Sequence, residues 1–450
     1  MIRKIIFHFF FLVAIVTQAQ QRLAFSFGET PQTLMLNPGS ETNYKSHYGI
    51  PIVSNFQFTI GNSGFQMGDL FSNDSRSFNE KFEKVLDQIS PSDYINLNTK
   101  IDVLNFGYRY NNKTYISIGF YEELDLIAYF PKDAIEGLYY GNDPFFNRSF
   151  SISQAIMKAD LIGVLHAGIS KKIDEKLTIG ARFKIYSSSL NIETNNNSGS
   201  ITTTTNNINI SRLTLQNLDA GVRTSGIDNI EEDVLSNTFF GGNLGMGFDV
   251  GITYHFSPQI EFTGSILDLG FIKHSKNIRN FTAEGDYVLD GINFEYNPDD
   301  PIDYWRQLRR DIDASVPNEE TDDAYTSWRP MKLNAALKYS FGERRNKFCY
   351  AKTRKQYYYN SIGFQMHTIM RPLKPQFSFT SFYEKSLSQN IHTKFTHTIN
   401  DYSSTIFGAG ASLQLGKLNI FGALDNVFGV RDLSTVNNIS LNFGFNITID

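Results

Sequence analysis

The sequence predicts an all-β protein, an antiparallel transmembrane β-barrel of about fourteen strands with two short helices in its loops. Three features predict it. Segments of alternating apolar and polar residues recur to the C-terminus, an export signal precedes them, and their connections alternate between short and long.

Residues 439–450 show the alternation most plainly. Leu441, Phe443, Phe445, Ile447 and Ile449 fall on one side of an extended strand, with Ser440, Asn442, Gly444, Asn446 and Thr448 on the other. Successive side chains of a strand point to opposite faces, so this is a ribbon with one apolar face. A half-buried strand of a soluble protein reads the same way, and the rest of the chain decides between core and lipid.

The N-terminus favours lipid. Arg3 and Lys4 precede an apolar run from Ile5 to Val16, broken by His8, and Thr17 and Ala19 suit a cut after Ala19. That is the pattern of a secretory signal peptide over residues 1–19, and Gln20 in place of Cys argues against a lipoprotein. No later apolar run approaches the ~18–20 residues of a membrane helix.

Composition agrees. The 39 Phe and 23 Tyr suit strands, and the 13 Pro are few enough to leave long ladders unbroken. A net charge of −5 gives no support for a nucleic-acid partner. The single cysteine, Cys349, excludes an internal disulfide framework and a cysteine zinc site.

The strands follow in order. Phe56, Phe58 and Ile60 share a face, as do Leu104, Phe106, Tyr108 and Tyr110 before a turn at 111–113. Ile116, Ile118 and Phe120 return; Leu161, Leu165 and Ile169 lead to a turn within 170–176 and to Ile179, Phe183 and Ile185. The clearest pair alternates from Leu244 to Phe256, turns at 257–259 and runs back through Ile260 and Phe262. Leu333 to Phe341, Ile362 to Met366 and segments near 376–386, 391–401, 405–415 and 418–427 complete the set.

Long connections at 131–150, 195–240 and 275–329 face short turns at the opposite ends of the strands, which is the outer-membrane pattern. The chain is thus divided into a signal peptide (1–19), a periplasmic or plug segment (20–49) and a barrel (50–450). The Asn- and Thr-rich segment 194–210 is expected to be a surface loop rather than a strand extension. One helix is expected after the Ser77–Glu80 capping box, with Phe78, Phe82, Val85, Leu86 and Ile89 on one face. A second is expected after Asp299–Asp300, carrying Ile302, Trp305, Leu308 and Ile312.

Chemistry is sparse. Between residues 284 and 323 stand thirteen acidic side chains against three arginines, and Asp299, Asp300 and Asp303 match no calcium-loop spacing. No histidine pair has metal-motif spacing, and there is no nucleophile elbow, phosphate loop or dinucleotide fingerprint. The expectation is a non-enzymatic protein with no cofactor and no metal. Asp249, His255, Glu261, Lys338 and Gln365 fall on the polar faces of their strands and are the candidates to line a lumen.

Several segments resemble an uncharacterised family of Bacteroidota outer-membrane barrels, a domain of unknown function related to the FadL-like channels and the type IX secretion protein PorV. They are LNPGSETNYKSHYGIPIVSNFQFTIGNSGF (36–65), LTIGARFKIYSSSLNIET (177–194), GNLGMGFDVGITYHF (242–256), SILDLGFI (265–272) and FGALDNVFG (421–429). The resemblance implies a monomeric barrel in outer-membrane lipid, and it implies no catalytic residue. Two functions follow as expectations: a channel for small or hydrophobic solutes, or a scaffold for a secreted surface protein. The alternative is a barrel-type lipid hydrolase.

Overall fold

A strand with one apolar and one polar face leaves its backbone groups unpaired at the sheet edges, and closing the sheet into a ring removes those edges. The computed structural model describes residues 25, 27, 30–140, 146–205, 211–227, 236–290, 319–343, 358–401, 403, 405–431 and 437–449. The signal segment 1–19, Cys349 and the expected helix at 299–312 with its three aspartates lie outside the described residues.

In chain order the strands are β1 (Ser46–Gly49), β2 (Phe56–Asn62), β3 (Tyr94–Asn111), β4 (Thr114–Tyr129), β5 (Ser149–Ser151), β6 (Met157–Lys172) and β7 (Leu177–Thr205). Then come β8 (Ser211–Ser225), β9 (Asn243–His255), β10 (Ile260–His274), β11 (Asn280–Asp290), β12 (Glu319–Thr321), β13 (Tyr325–Trp328) and β14 (Lys332–Glu343). The last are β15 (Tyr358–Ile369), β16 (Gln376–Ser386), β17 (Ile391–Asn400), β18 (Ile406–Leu415), β19 (Leu418–Asp425) and β20 (Asn438–Ile449).

Fourteen staves form a closed antiparallel ring. β1 and β2 together make the first stave, and both pieces pair with β3 on one side and β20 on the other. From β3 the wall runs through β4, β6, β7, β9 and β10 to β14, with β13 at its rim. It then continues through β15, β16, β17, β18 and β19 to β20. The wall therefore begins at Ser46, four residues before the boundary expected from sequence.

The alternation is realised as two different surfaces. Leu244, Met246, Phe248 and Val250 of β9 are each about half exposed on the outside, while Asp249 between them and Thr253 beyond are buried. Ile362, Phe364 and Met366 repeat this on β15, opposite buried Gln365 and His367. The outer face is apolar and the inner face polar.

Two of the long connections expected at one end contain strands among their described residues. β7 continues to Thr205 through the segment expected to be a loop; beyond the ring β8 ladders onto β7, and β11 onto β8. With β5 and β12 at its edges this makes a five-stranded blade. The reason is local: Ile201 and the threonines 202–205 are β-branched, and such side chains favour a pleated surface over a polar loop. Within 195–240 the described residues to Ser225 are thus corrected from loop to a strand pair, and 275–329 contains β11, β12 and β13.

Four α-helices lie among the described residues besides short 3-10 and π turns: α1 (Thr33–Leu36), α2 (Met67–Phe71), α3 (Phe78–Gln88) and α4 (Lys132–Tyr140). None is long and apolar enough to cross a membrane. α3 starts at the expected capping box, where Ser77 N–H donates to Glu80 Oε2 at 2.6 Å and Glu80 N–H to Ser77 Oγ at 3.2 Å. The Ser77 N–H and hydroxyl, both donating to Glu80 Oε2, hold the Glu80 carboxyl below its ordinary value. Val85, Leu86 and Ile89 pack against Phe65, Phe82, Phe130 and Tyr139. α4 falls in the 131–150 connection, where sequence predicts only loop.

Candidate functional site

Inside the ring two layers of side chains stand out. The first is a chain of eight alternating charges. Arg329 reaches Asp160 and Glu123, both at 3.0 Å. Lys332 joins Glu123 (3.2 Å) to Asp268 (3.0 Å), and Lys184 joins Asp268 (2.6 Å) to Asp249 (2.9 Å). Arg182 closes the series on Asp249 at 3.3 Å. These side chains are nearly or wholly buried. Four cations and four carboxylates therefore cancel, as they must where water does not reach.

Local irregularities of the wall aim two members of this series. β10 carries a bulge between Ile266 and Leu269, with Asp268 at φ +59, and the bulge turns that side chain inward. In the neighbouring stave the gap between β13 and β14 holds Arg329, whose N–H donates to the Gly270 carbonyl at 2.9 Å. A separate bidentate pair, Arg371 on Asp125 at 2.5 and 3.0 Å, is tied to the series by Asn98, which donates to Glu123 and Asp125.

The second layer is the N-terminal segment. α1 lies where Arg182 donates to the carbonyls of Leu34 (2.6 Å) and Met35 (3.2 Å). Gln32 and Asn446 exchange hydrogen bonds at 3.1 and 3.2 Å. Ser265 donates to the Leu36 carbonyl, Asn37 to that of Ile252, Ser170 to that of Ser40 and Lys394 to that of Phe25. The wall partners belong to β6, β7, β9, β10, β17 and β20, staves spread around the ring. Met35 packs with Tyr121, Ile162, Val164, Tyr186 and Ile272, a small apolar core in this polar interior.

Asn37-Pro38-Gly39 is seated on bare backbone. A Cβ on Gly180 would run into the Pro38 carbonyl, and one on Gly251 into the Asn37 side chain. Only glycine permits such an approach. Beyond it, Glu41 accepts from Thr178 Oγ1 at 2.9 Å and lies 3.6 Å from His255 Nε2. Burial acts to raise the Glu41 carboxyl, but the hydrogen bonds from His255 and Thr178 outweigh it and hold it at about 2.

The five residues singled out from sequence fall into three places. Asp249 belongs to the charge series. His255, Glu261 and Lys338 form a second chain, with His255 Nδ1 3.8 Å and Lys338 Nζ 2.9 Å from Glu261. Gln365 stands apart, 2% exposed, with no hydrogen-bond partner for its Oε1 among the described residues. Sequence reasoning missed Glu123, Asp160, Asp268, Arg329 and Arg371. A signal was present for Glu123 and Asp125, which alternate with Leu124 and Leu126. For Asp268 and Arg329 there was none, because a bulge and a strand gap set their direction.

Ser225 Oγ and His274 Nδ1 are 2.7 Å apart, yet both residues are 0% exposed and His274 Nε2 has no partner. A hydrolytic serine needs access to substrate and a carboxylate on the far imidazole nitrogen. This pair has neither. Among the described residues no group of three or more His, Cys, Asp or Glu is placed to hold a metal ion.

The structure is similar over nearly its whole length to solved barrels of low sequence identity. The Ralstonia pickettii toluene transporter TbuX aligns with a TM-score of 0.46 at 10% identity, over 95% of this chain and 95% of that one. A Pseudomonas aeruginosa FadL homologue aligns with a TM-score of 0.43 at 9% identity, over 97% of this chain and 99% of that one. No curated protein matches the sequence. The profile of a family of unknown function (DUF5723) matches residues 38–425, most of the chain, and the protein belongs to that family.

Proposed function

We propose that the protein is an outer-membrane barrel whose N-terminal segment plugs the lumen, and that it acts as a gated channel for small solutes. The observation that carries this reading is the docking of Phe25 and residues 32–40 across the ring by hydrogen bonds to six of its staves. Those contacts are polar, and water can replace each of them when the segment moves. Membrane placement is supported by the apolar outer face and by the sequence pattern of an export signal. In this reading Asp249, His255, Glu261, Lys338 and Gln365 line the lumen, and their polarity favours a hydrophilic solute over a hydrophobic one.

The test is conductance of purified protein in a planar bilayer, with and without residues 25–41. The intact chain is expected to be closed or nearly so, and the deletion to conduct. A substitution, Arg182→Gln, serves if the deletion fails to assemble, since it removes the donors to Leu34 and Met35. Closed barrels in every case, from protein that floats with outer-membrane lipid, would sink the channel.

A scaffold for a secreted surface protein is the second reading, favoured by the blade of β5, β7, β8, β11 and β12 beyond the ring. Removing β8 and β11 would then release a co-purifying surface protein while leaving the ring in the membrane.

A further inference from the structure

Residues 237–241, near the end of the connection between β8 and β9, lie on the outside of the wall. Glu122, Gly163, Ser187 and Leu244 are successive cross-strand partners on β4, β6, β7 and β9, and they make one row of the outward face. The turn covers the first three. Thr238 Oγ1 donates to Glu122 Oε1 at 3.2 Å, and Ser187 Oγ donates to the Asn237 carbonyl. A Cβ on Gly163 would run into the Thr238 carbonyl. Phe239 stacks on Phe120 of β4 with 4.8 Å between ring centroids, and Phe240 lies 6.1 Å from it. Phe120 is thereby 4% exposed, where Ile118 on the same face is 47% exposed.

The covered row is polar between apolar neighbours. On one side of it stand Phe120, Leu165, Ile185 and Met246, and on the other Leu124, Leu161 and Leu190. Acyl chains offer Glu122 and Ser187 no hydrogen bonds, so leaving that row bare in lipid is costly. The turn supplies those bonds and ties its own carbonyls as well. Gly242 N–H donates to the Asn237 carbonyl, and Lys276 Nζ to that of Gly241. Its outer surface is aromatic, with Phe239 50% and Phe240 40% exposed. Phe240 takes a φ of +70, a left-handed conformation that is unfavourable for a bulky side chain. Water would penalise two adjacent bare rings on such a turn. Lipid accepts them as part of the apolar wall, and irregular backbone is tolerated at membrane depth where protein covers it.

We infer that residues 237–241 form a lipid seal on the outer wall. The turn closes a polar row and presents Phe239 and Phe240 to acyl chains in the outer-leaflet half of the membrane. The inference rests on the outer-membrane reading and adds a lipid contact made by a segment outside the strands. β8 of the blade precedes the turn and β9 of the ring follows it, so the same contact steadies the base of the blade.

The test is tryptophan fluorescence of the full-length protein in phosphatidylcholine vesicles. Phe239→Trp is placed in a chain carrying Trp305→Phe and Trp328→Phe, which removes both native tryptophans. Val250→Trp in the same background reports the bare wall, and Phe240→Trp serves if the first variant fails to assemble. Folding is read from the gel mobility of unheated protein. Brominated acyl chains are expected to quench the Phe239→Trp protein as they quench the Val250→Trp protein, and iodide on both faces of the vesicle is expected to leave both bright. Quenching of the turn by iodide and not by bromine would put it in water and overturn the seal. Quenching by neither would mean that protein covers the rings, which overturns it equally. Failure of bromine to quench the Val250→Trp protein would instead overturn the outer-membrane reading on which the seal rests.

Discussion

At the scale of single residues, the interior is governed by pairing. Arg329 holds two carboxylates, Glu123 and Asp160, from opposite ends of one guanidinium. Replacing it by Met leaves both with weaker partners, Lys332 for the first and Asn191 for the second. Breaking one side of a buried ionic cluster costs about 3–5 kcal/mol, far more than a surface pair. Arg329→Met is therefore expected to lower the unfolding free energy of the detergent-solubilised barrel by that amount, taken from the midpoint and slope of a urea titration read by gel mobility. A loss below about 1 kcal/mol would mean that water enters the cluster. Little of this pairing was legible in sequence. Lys332 and Glu123 are 209 residues apart, and alternation tells which face a side chain takes without naming its partner across the ring.

At the scale of elements, the fit of the N-terminal segment depends on two side chains that are absent. Gly180 on β7 and Gly251 on β9 let the Asn37–Gly39 turn touch the wall backbone. Gly180→Val is expected to push the turn away while the stave, favoured by a β-branched residue, still forms. The measurement is limited proteolysis. Residues 25–41 should become cleavable in the variant and stay protected in the parent, with the ring resistant in both. The glycines were visible in sequence as small members of an alternating face, and nothing marked them as a seat. Capping at Ser77 and Glu80 was legible because both partners lie within one turn. β7 was misjudged past residue 194, where Asn and Thr suggest a loop by composition. The partners that make it a strand, β5 and β8, were hidden in segments that also looked like loops.

At the scale of the whole molecule, the division into an apolar outside and a polar inside was legible almost entirely. It repeats in every stave with a period of two, the shortest-range signal a sheet can carry. Its consequence can be measured. Val250, near the middle of β9 and 44% exposed, faces outward, whereas Val222 of β8 is 37% exposed on the blade. Arg at the midplane of a lipid-facing strand costs about 2–4 kcal/mol and at a watery surface close to nothing. Val250→Arg should lose stability of that order in lipid, and Val222→Arg should not. Equal effects would place both in the same solvent. The closure of the ring also bears on time. Gln32 and Asn446, 414 residues apart, clasp each other beside the seam where β20 meets β1 and β2. Contacts of such long sequence separation form late, because almost the entire polypeptide must be gathered before they are rewarded. The seam is thus the last joint of assembly, and the event that completes the wall is the same one that encloses the N-terminal segment within it.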